Sequence, residues 1–324
     1  MFPPRRQFLV AAALTAASAH PSFAEASYPS RPIRVIVPYP AGGVVDQYAR
    51  IVIDAVNRQW PTGFVVEPIP GASSSIGTRK AKQSKPDGYT WLINGPALIA
   101  NPHLFNDAGW NVLRDFVPVA NAGYGPLVLV AKSSAGISSL KMLLDKAKAS
   151  PGTLTAGTSH GSSVHISLEM LRKTTGIDVT LVPYSGAPQI MQALGGGQID
   201  FSFLPYMLAQ PHVESGRLVA LALSSSARSS LFPNVPTFAE LGLGDSAFLS
   251  WYTFVVPRMT PVPLLKQIND AFNKALVQPD VIERIKKQGG EAGSPMSIAE
   301  LEKMVKTDDD KLSQLIRSTN MRGE

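Results

Sequence analysis

The chain has 324 residues, no cysteine and a formal charge of +6. That length suits two ordinary domains with ample core, and the missing cysteine excludes a disulfide framework, thiol catalysis and cysteine-ligated metals. The basic residues are scattered (Lys80, Lys82, Lys85; Lys141, Lys146, Lys148; Lys286, Lys287) with no interleaved aromatic stripe, which argues against nucleic acid, while a mildly basic surface favours the approach of anionic solutes.

The first predicted element is an address and not part of the fold. Arg5 and Arg6 precede an apolar run from Phe8 to Ala19, and Ser22–Ala24 offers small residues for cleavage before Glu25 or Ser27. Residues 1–26 therefore read as an export signal, and the arginine pair followed by Gln7-Phe8-Leu9 also fits the twin-arginine pattern. The apolar run is well short of the ~20 residues a membrane span requires, so the mature chain is expected to be soluble outside the cytoplasm. Cleavage before Glu25 removes two arginines and lowers the formal charge from +6 to +4.

Strands and helices then alternate. Strand Ile33–Val37 runs into Tyr39-Pro-Ala-Gly-Gly43 and a helix over Val44–Trp60, followed by strand Phe64–Glu67, helix Ser74–Lys82 and strand Thr90–Ile93. A second series runs Thr153–Ala156, helix Ser163–Thr174, Val179–Val182, helix Pro188–Leu194, Ile199–Phe203, helix Met207–Ser215 and Leu218–Leu223. Such alternation predicts two α/β domains built on parallel sheets. Apolar strand Pro126–Ala131, with Trp251–Val256 as its return, predicts a two-stranded hinge. The predicted division is residues 27–125 plus 250–324 for the first domain and 126–249 for the second. Helices Val262–Leu276, Asp280–Lys287 and Ile298–Ile316 complete the first, and Ser224–Gly244 reads as a loop with one short helix at Phe238–Leu241.

A strand that breaks on two glycines into a helix presents backbone N–H groups and a positive dipole end, which together suit an anion. The Tyr39–Gly43 loop has no Lys or Arg, so peptide dipoles would hold that anion. Similar turns follow other strands at Gly71–Gly77, Gly157–Ser163 and Tyr184–Ala187. In an open α/β sheet such loops converge on one cleft at the carboxyl ends of the strands. Asp46, in the first helical turn, reads as a complement to the helix dipole.

Gly157-Thr-Ser159-His-Gly161 matches the nucleophile-elbow pattern, but no histidine follows His212, so a serine hydrolase using Ser159 lacks its late histidine and is disfavoured. His160 and His165 are expected on different faces of a helix with no third ligand, so no metal site is expected. Asp115, Asp178 and Asp200 show no pairing for acid–base work. No cofactor is expected.

Several motifs in order resemble the Bug family, the extracytoplasmic solute receptors of tripartite tricarboxylate transporters: Tyr28-Pro-Ser-Arg-Pro-Ile33, Val37–Gly43 with Asp46 and Arg50, Pro70-Gly-Ala72 with Ile76-Gly77, Pro86–Thr90, Pro183-Tyr184 with Gly186, Gly196–Asp200, Leu221 with Ala222, and Asn234–Thr237. The resemblance implies a type II periplasmic-binding-protein fold, with the ligand cleft between the domains. It implies a periplasmic, monomeric, non-enzymatic receptor that closes on a small organic carboxylate and delivers it to a large and a small membrane subunit. A receptor feeding a membrane sensor would use the same cleft. Carried over residue by residue, the ligand-binding set is Tyr39, Ala41, Gly42 and Gly43 with Ser73, Ser74 and Ser75, facing Thr158, Ser162, Ser163 and His165, with Tyr184 and Ser185 behind. Two positions depart from the family: Ser73–Ser75 stands where Gly-Gly-Asn is common, and Ser185 where lysine is common. Serine at 185 suggests a ligand whose far end is neutral, aromatic or weakly charged.

Overall fold

The computed structural model describes residues 28–321 apart from 61, 226, 247 and 320; the expected export signal, residues 1–26, lies outside them. The elements are β1 (Ile33–Val37), α1 (Val44–Asn57), β2 (Phe64–Pro68), α2 (Ser75–Lys82), β3 (Thr90–Asn94), α3 (Ala97–Leu104), α4 (Val112–Asp115), β4 (Phe116–Gly125), β5 (Leu127–Lys132), α5 (Leu140–Ala149), β6 (Thr155–Thr158), α6 (Ser163–Thr175), β7 (Thr180–Pro183), α7 (Ala187–Gly195), β8 (Phe201–Pro205), α8 (Tyr206–Glu214), β9 (Leu218–Leu223), β10 (Ser250–Pro257), α9 (Val262–Leu276), α10 (Pro279–Lys287), β11 (Glu291–Ala292) and α11 (Ile298–Thr319).

They form two sheets, one of six strands in the order β11-β4-β10-β3-β1-β2 and one of five in the order β7-β6-β8-β5-β9. β1 lies parallel to β2 and β3, and β6 parallel to β7 and β8. Ile33, Val35, Ile36 and Val37 have no exposed surface, as expected of a strand covered on both faces. Burying each such side chain contributes about 1.5–3 kcal/mol, so the loop after β1 leaves a rigid support. α1 turns Tyr48, Ala49, Val52 and Val56 inward and shares a core with Ile268, Phe272 and Ala275 of α9.

The sheets are mixed, where alternation predicted parallel ones: β10 is antiparallel to both β3 and β4, and β5 to both β8 and β9. The chain passes between the sheets twice, from β4 to β5 and from β9 to β10, and these are the two crossings of the expected hinge. β5 belongs wholly to the second sheet, and β10 pairs with β4, Ser250 facing Gly125. Gly125 is held there by space, because a Cβ would collide with the Tyr252 hydroxyl. The short helix predicted at Phe238–Leu241 is a hydrogen-bonded turn, in which Leu241 N–H reaches Thr237 O and Phe238 O at 3.2 Å each.

Apolar packing joins the two halves. Ile166 of α6, a second-sheet helix, is buried in the cluster formed by Leu98, Ile99 and Leu104 of α3 and Leu312 of α11.

Candidate functional site

The Tyr39–Gly43 loop leaves β1 at its carboxyl end, and Gly42 there has φ +77°, a conformation an L side chain rarely adopts. Gly43 does not need this freedom; its φ is −68°. The loop turns inward on itself. Gly42 N–H donates to Asp46 Oδ2 at 2.9 Å, the same oxygen accepts from Arg50 Nε at 2.9 Å, and Gly43 N–H reaches Pro40 O at 3.3 Å. Asp46 therefore complements the first turn of α1, as its position predicts, and also receives a glycine amide that the sequence reading gave to a ligand. Its other oxygen, Oδ1, is buried with no partner among the described residues. α1 has no side-chain cap, which leaves its first N–H groups to other acceptors.

The loop before α2 is left-handed over successive residues: Ala72, Ser73 and Ser74 have φ of +45°, +50° and +75°. Each costs about 1–2 kcal/mol for a residue with a Cβ, so the turn persists only because its surroundings impose it. Two asparagines do so. Asn94, at the end of β3, donates to Thr78 Oγ1 at 3.0 Å and Ser74 Oγ at 3.4 Å, and its Oδ1 accepts from the Tyr39 hydroxyl at 2.9 Å and Gly95 N–H at 2.8 Å. Asn101 of α3 donates through Nδ2 to Ser73 O at 2.6 Å and Ser75 Oγ at 3.3 Å. Both asparagines are fully buried. Tyr39 is thereby tied to the serine turn, and burial raises its hydroxyl pKa well above the usual tyrosine value.

On the second sheet, β6 ends at Thr158, buried with Oγ1 unpartnered among the described residues. Ser162 caps α6, its Oγ accepting from His165 N–H at 3.5 Å. Gly161, φ +68°, donates its N–H to His165 Nδ1 at 3.3 Å. An acceptor at Nδ1 places the ring proton on Nε2. Burial, then the neighbouring His160 and Arg172, pulls the His165 pKa down to about 4, so the ring is neutral at pH 7. The two histidines are not on separate helix faces: His160 precedes the helix, and the ring centroids lie 5.0 Å apart. Among the described residues no group of three metal-ligating side chains assembles. Tyr184 N–H donates to Thr158 O at 2.8 Å, joining the loop after β7 to the end of β6. Ser185 is exposed and its N–H is held by Gln189 Oε1 at 2.9 Å.

The structure thus links Tyr39, Ser73, Ser74 and Ser75 in the first half, and Thr158, Ser162, His165 and Tyr184 in the second, with Ser163 opening α6. Asn101 connects the two groups, because its Oδ1 lies against Gly161, where a Cβ would collide with it. No hydrogen bond among the described residues ties Ala41, Gly42 or Gly43 to the second half. Asn94 and Asn101 were missed in the sequence: Asn94-Gly95-Pro96 is a turn signal that could have pointed to the first, whereas Asn101 stands in no glycine turn or motif. A cleft of ≈ 780 Å³ lies elsewhere, between α6 and α11, lined by Tyr124, Met170, Phe248, Trp251, Met304 and Asp308. It contains none of the strand-to-helix turns, so the candidate site stays with the loops. The Ser159 hydroxyl has no hydrogen bond to a histidine among the described residues, and the Ser159 carbonyl accepts from the Ser162 hydroxyl at 2.6 Å.

Two α/β halves meeting at the carboxyl ends of their parallel strands define a periplasmic-binding-protein fold. Residues 48–321 match the tripartite tricarboxylate transporter family receptor, TctC, and the chain belongs to that family. It is 36% identical over 280 residues to Protein BugT of Bordetella pertussis, covering 85% of each chain. Two solved structures are similar at 26% identity. A Rhodopseudomonas palustris protein with adipate has a TM-score of 0.83, covering 90% of this chain and 98% of that one. MatC from the same organism, with bound malate, has a TM-score of 0.80, covering 89% and 100%. No helix of the described residues is long and apolar enough to cross a membrane.

Proposed function

We propose that this chain is a periplasmic, non-enzymatic receptor that captures a small organic carboxylate and delivers it, as a monomer, to the large and small membrane subunits of a tripartite tricarboxylate transporter. The observation that carries the reading is the contact of Asn101 with Gly161, which brings the serine turn of one half against the glycine turn of the other. Residues 27–125 with 250–324 form one closing unit and residues 126–249 the other. The ligand lies between Tyr39, Ala41–Gly43 and Ser73–Ser75 on one side and Thr158, Ser162, Ser163, His165, Tyr184 and Ser185 on the other.

The chemistry of these groups suits an anion. Uncapped helix starts supply N–H donors, the hydroxyls of Thr158, Ser73–Ser75 and Ser163 supply more, and a neutral His165 offers Nε2–H without a counter-charge that would slow release. The adipate and malate held by two similar proteins support a carboxylate in this one. With Ser185 supplying one neutral donor, a ligand with a weakly charged far end is preferred; Ser185→Lys is expected to shift preference towards dicarboxylates.

A thermal-shift screen of mono-, di-, tri- and aromatic carboxylates tests the reading. A ligand at 100 times its Kd is expected to add about 2.7 kcal/mol of stability. Stabilisation by sugars or amines, with none by any acid, would overturn it.

A further inference from the structure

We propose that Asn101 is a positioning residue through which each half of the site sets the geometry of the other. The proposal rests on the ligand lying between the two halves and assigns a role to a residue that does not itself need to touch it.

Asn101 is fully buried, and its amide has two jobs of opposite direction. Nδ2 must be the nitrogen, because Ser73 O, 2.6 Å away, can only accept. That bond and the one to Ser75 Oγ brace a left-handed turn that three non-glycine residues would otherwise leave. The orientation of Nδ2 then fixes Oδ1, which has no hydrogen-bond partner among the described residues and abuts Gly161 of the opposite half. Leu104 Cδ1, which a Cβ at Gly161 would meet at 3.4 Å, closes the same spot. The amide cannot flip without turning a donor into an acceptor opposite Ser73 O. A displacement of the Gly161 loop therefore passes through one planar group into the Ser73–Ser75 turn, and in the reverse direction the turn fixes how near the Gly161 loop can come. Gly161 N–H also holds His165 Nδ1, so the imidazole is placed by the same contact.

A double-mutant cycle on the full mature chain tests this. Gly161→Ala puts a methyl group where Oδ1 sits and is expected to swing the Asn101 amide off Ser73 O, so that backbone amides of residues 72–75 exchange hydrogen at least about tenfold faster. In an Asn101→Ala background those amides already exchange fast, and adding Gly161→Ala is expected to change them less than twofold. For a carboxylate found by the screen, the two substitutions are expected to be non-additive in Kd by about fivefold or more, the double variant binding better than the product of the single effects. Circular dichroism checks that each variant folds. Additive effects on exchange, or an unchanged 72–75 segment in Gly161→Ala, overturn the proposal. So does coupling in exchange with strict additivity in Kd, which would make Asn101 a packing residue only. If wild-type protein binds no acid, the carboxylate reading fails on that result alone, and the exchange cycle still decides the role of Asn101.

Discussion

The starts of α1 and α6 solve one problem with different charges. In each, a glycine with positive φ precedes the helix, and its N–H is received by the side chain four residues later, inside the first turn: Gly42 by Asp46 and Gly161 by His165. The first acceptor is a carboxylate shared with Arg50, the second a buried neutral imidazole. The surroundings differ too. Nothing lies within 4 Å of a Cβ built on Gly42, whereas one on Gly161 meets Asn101. A turn free on its outer side is shaped by its own helix; a turn pressed against the opposite half is shaped by that half as well.

The largest expected effect exploits this contrast. Gly161→Ala combines backbone strain with a collision and is expected to destabilise by about 3 kcal/mol, against about 1 kcal/mol for Gly42→Ala, where only strain applies. Urea unfolding of both variants measures the gap, and equal losses would mean that the two turns are equivalent. Next, Asp46→Ala leaves Gly42 N–H without its acceptor and is expected to cost about 2 kcal/mol. Arg50→Ala, at the half-exposed end of the pair, is expected to cost under ~1 kcal/mol.

The imidazole predicts a pH dependence of stability. The unfolded chain protonates His165 near pH 6.5, but the folded chain resists until about pH 4, so the folded state binds fewer protons in that window and loses stability as pH falls through it. Between pH 7 and 5 the loss is expected to be about 1–2 kcal/mol, and His165→Asn, which keeps an acceptor for Gly161 N–H, is expected to abolish that part. An unchanged pH profile in the variant would place the titration elsewhere. The smallest expected effect is at Gly43, where φ is already ordinary: Gly43→Ala meets Pro40 O at 3.2 Å and is expected to cost less than ~1 kcal/mol of stability.

The sequence was legible where a local pattern made the element. β1, the glycine turn and α1 could be read because an apolar run, two glycines and a 3.6-residue period follow one another directly. β4 was missed because Pro118 and the glycines of its last turn disguise a strand. The structure accommodates Pro118 where β10 shifts register between Phe254 and Val255, and β11 covers β4 only at Gly123 and Tyr124. α3 was missed because it is buried on most of its surface and carries Pro102, so it shows no amphipathic period. With α3 went Asn101, and with the end of β3 went Asn94. These two hold the turn that Ser73–Ser75 only hinted at, and the residues from Ser73 to Thr78 that they bond lie 16–28 residues away in sequence, beyond any local signal. The histidine pair was misread for a smaller reason: the helix begins at Ser163, so helical spacing does not apply to His160.

The place of β10 has a consequence for how the chain is completed in time. Every strand of the five-stranded sheet lies between residues 127 and 223, so that half can be assembled from one continuous stretch. The six-stranded sheet has β10 as the plank between β3 and β4, and α9 covers its core. Until residues 250–276 are available, β3 and β4 present open edges, and closing the gap joins segments more than 120 residues apart. Such distant closures are slow, and whole units of chain tend to fold as they become available. The half that begins first, carrying Tyr39–Gly43, is therefore the last to be finished.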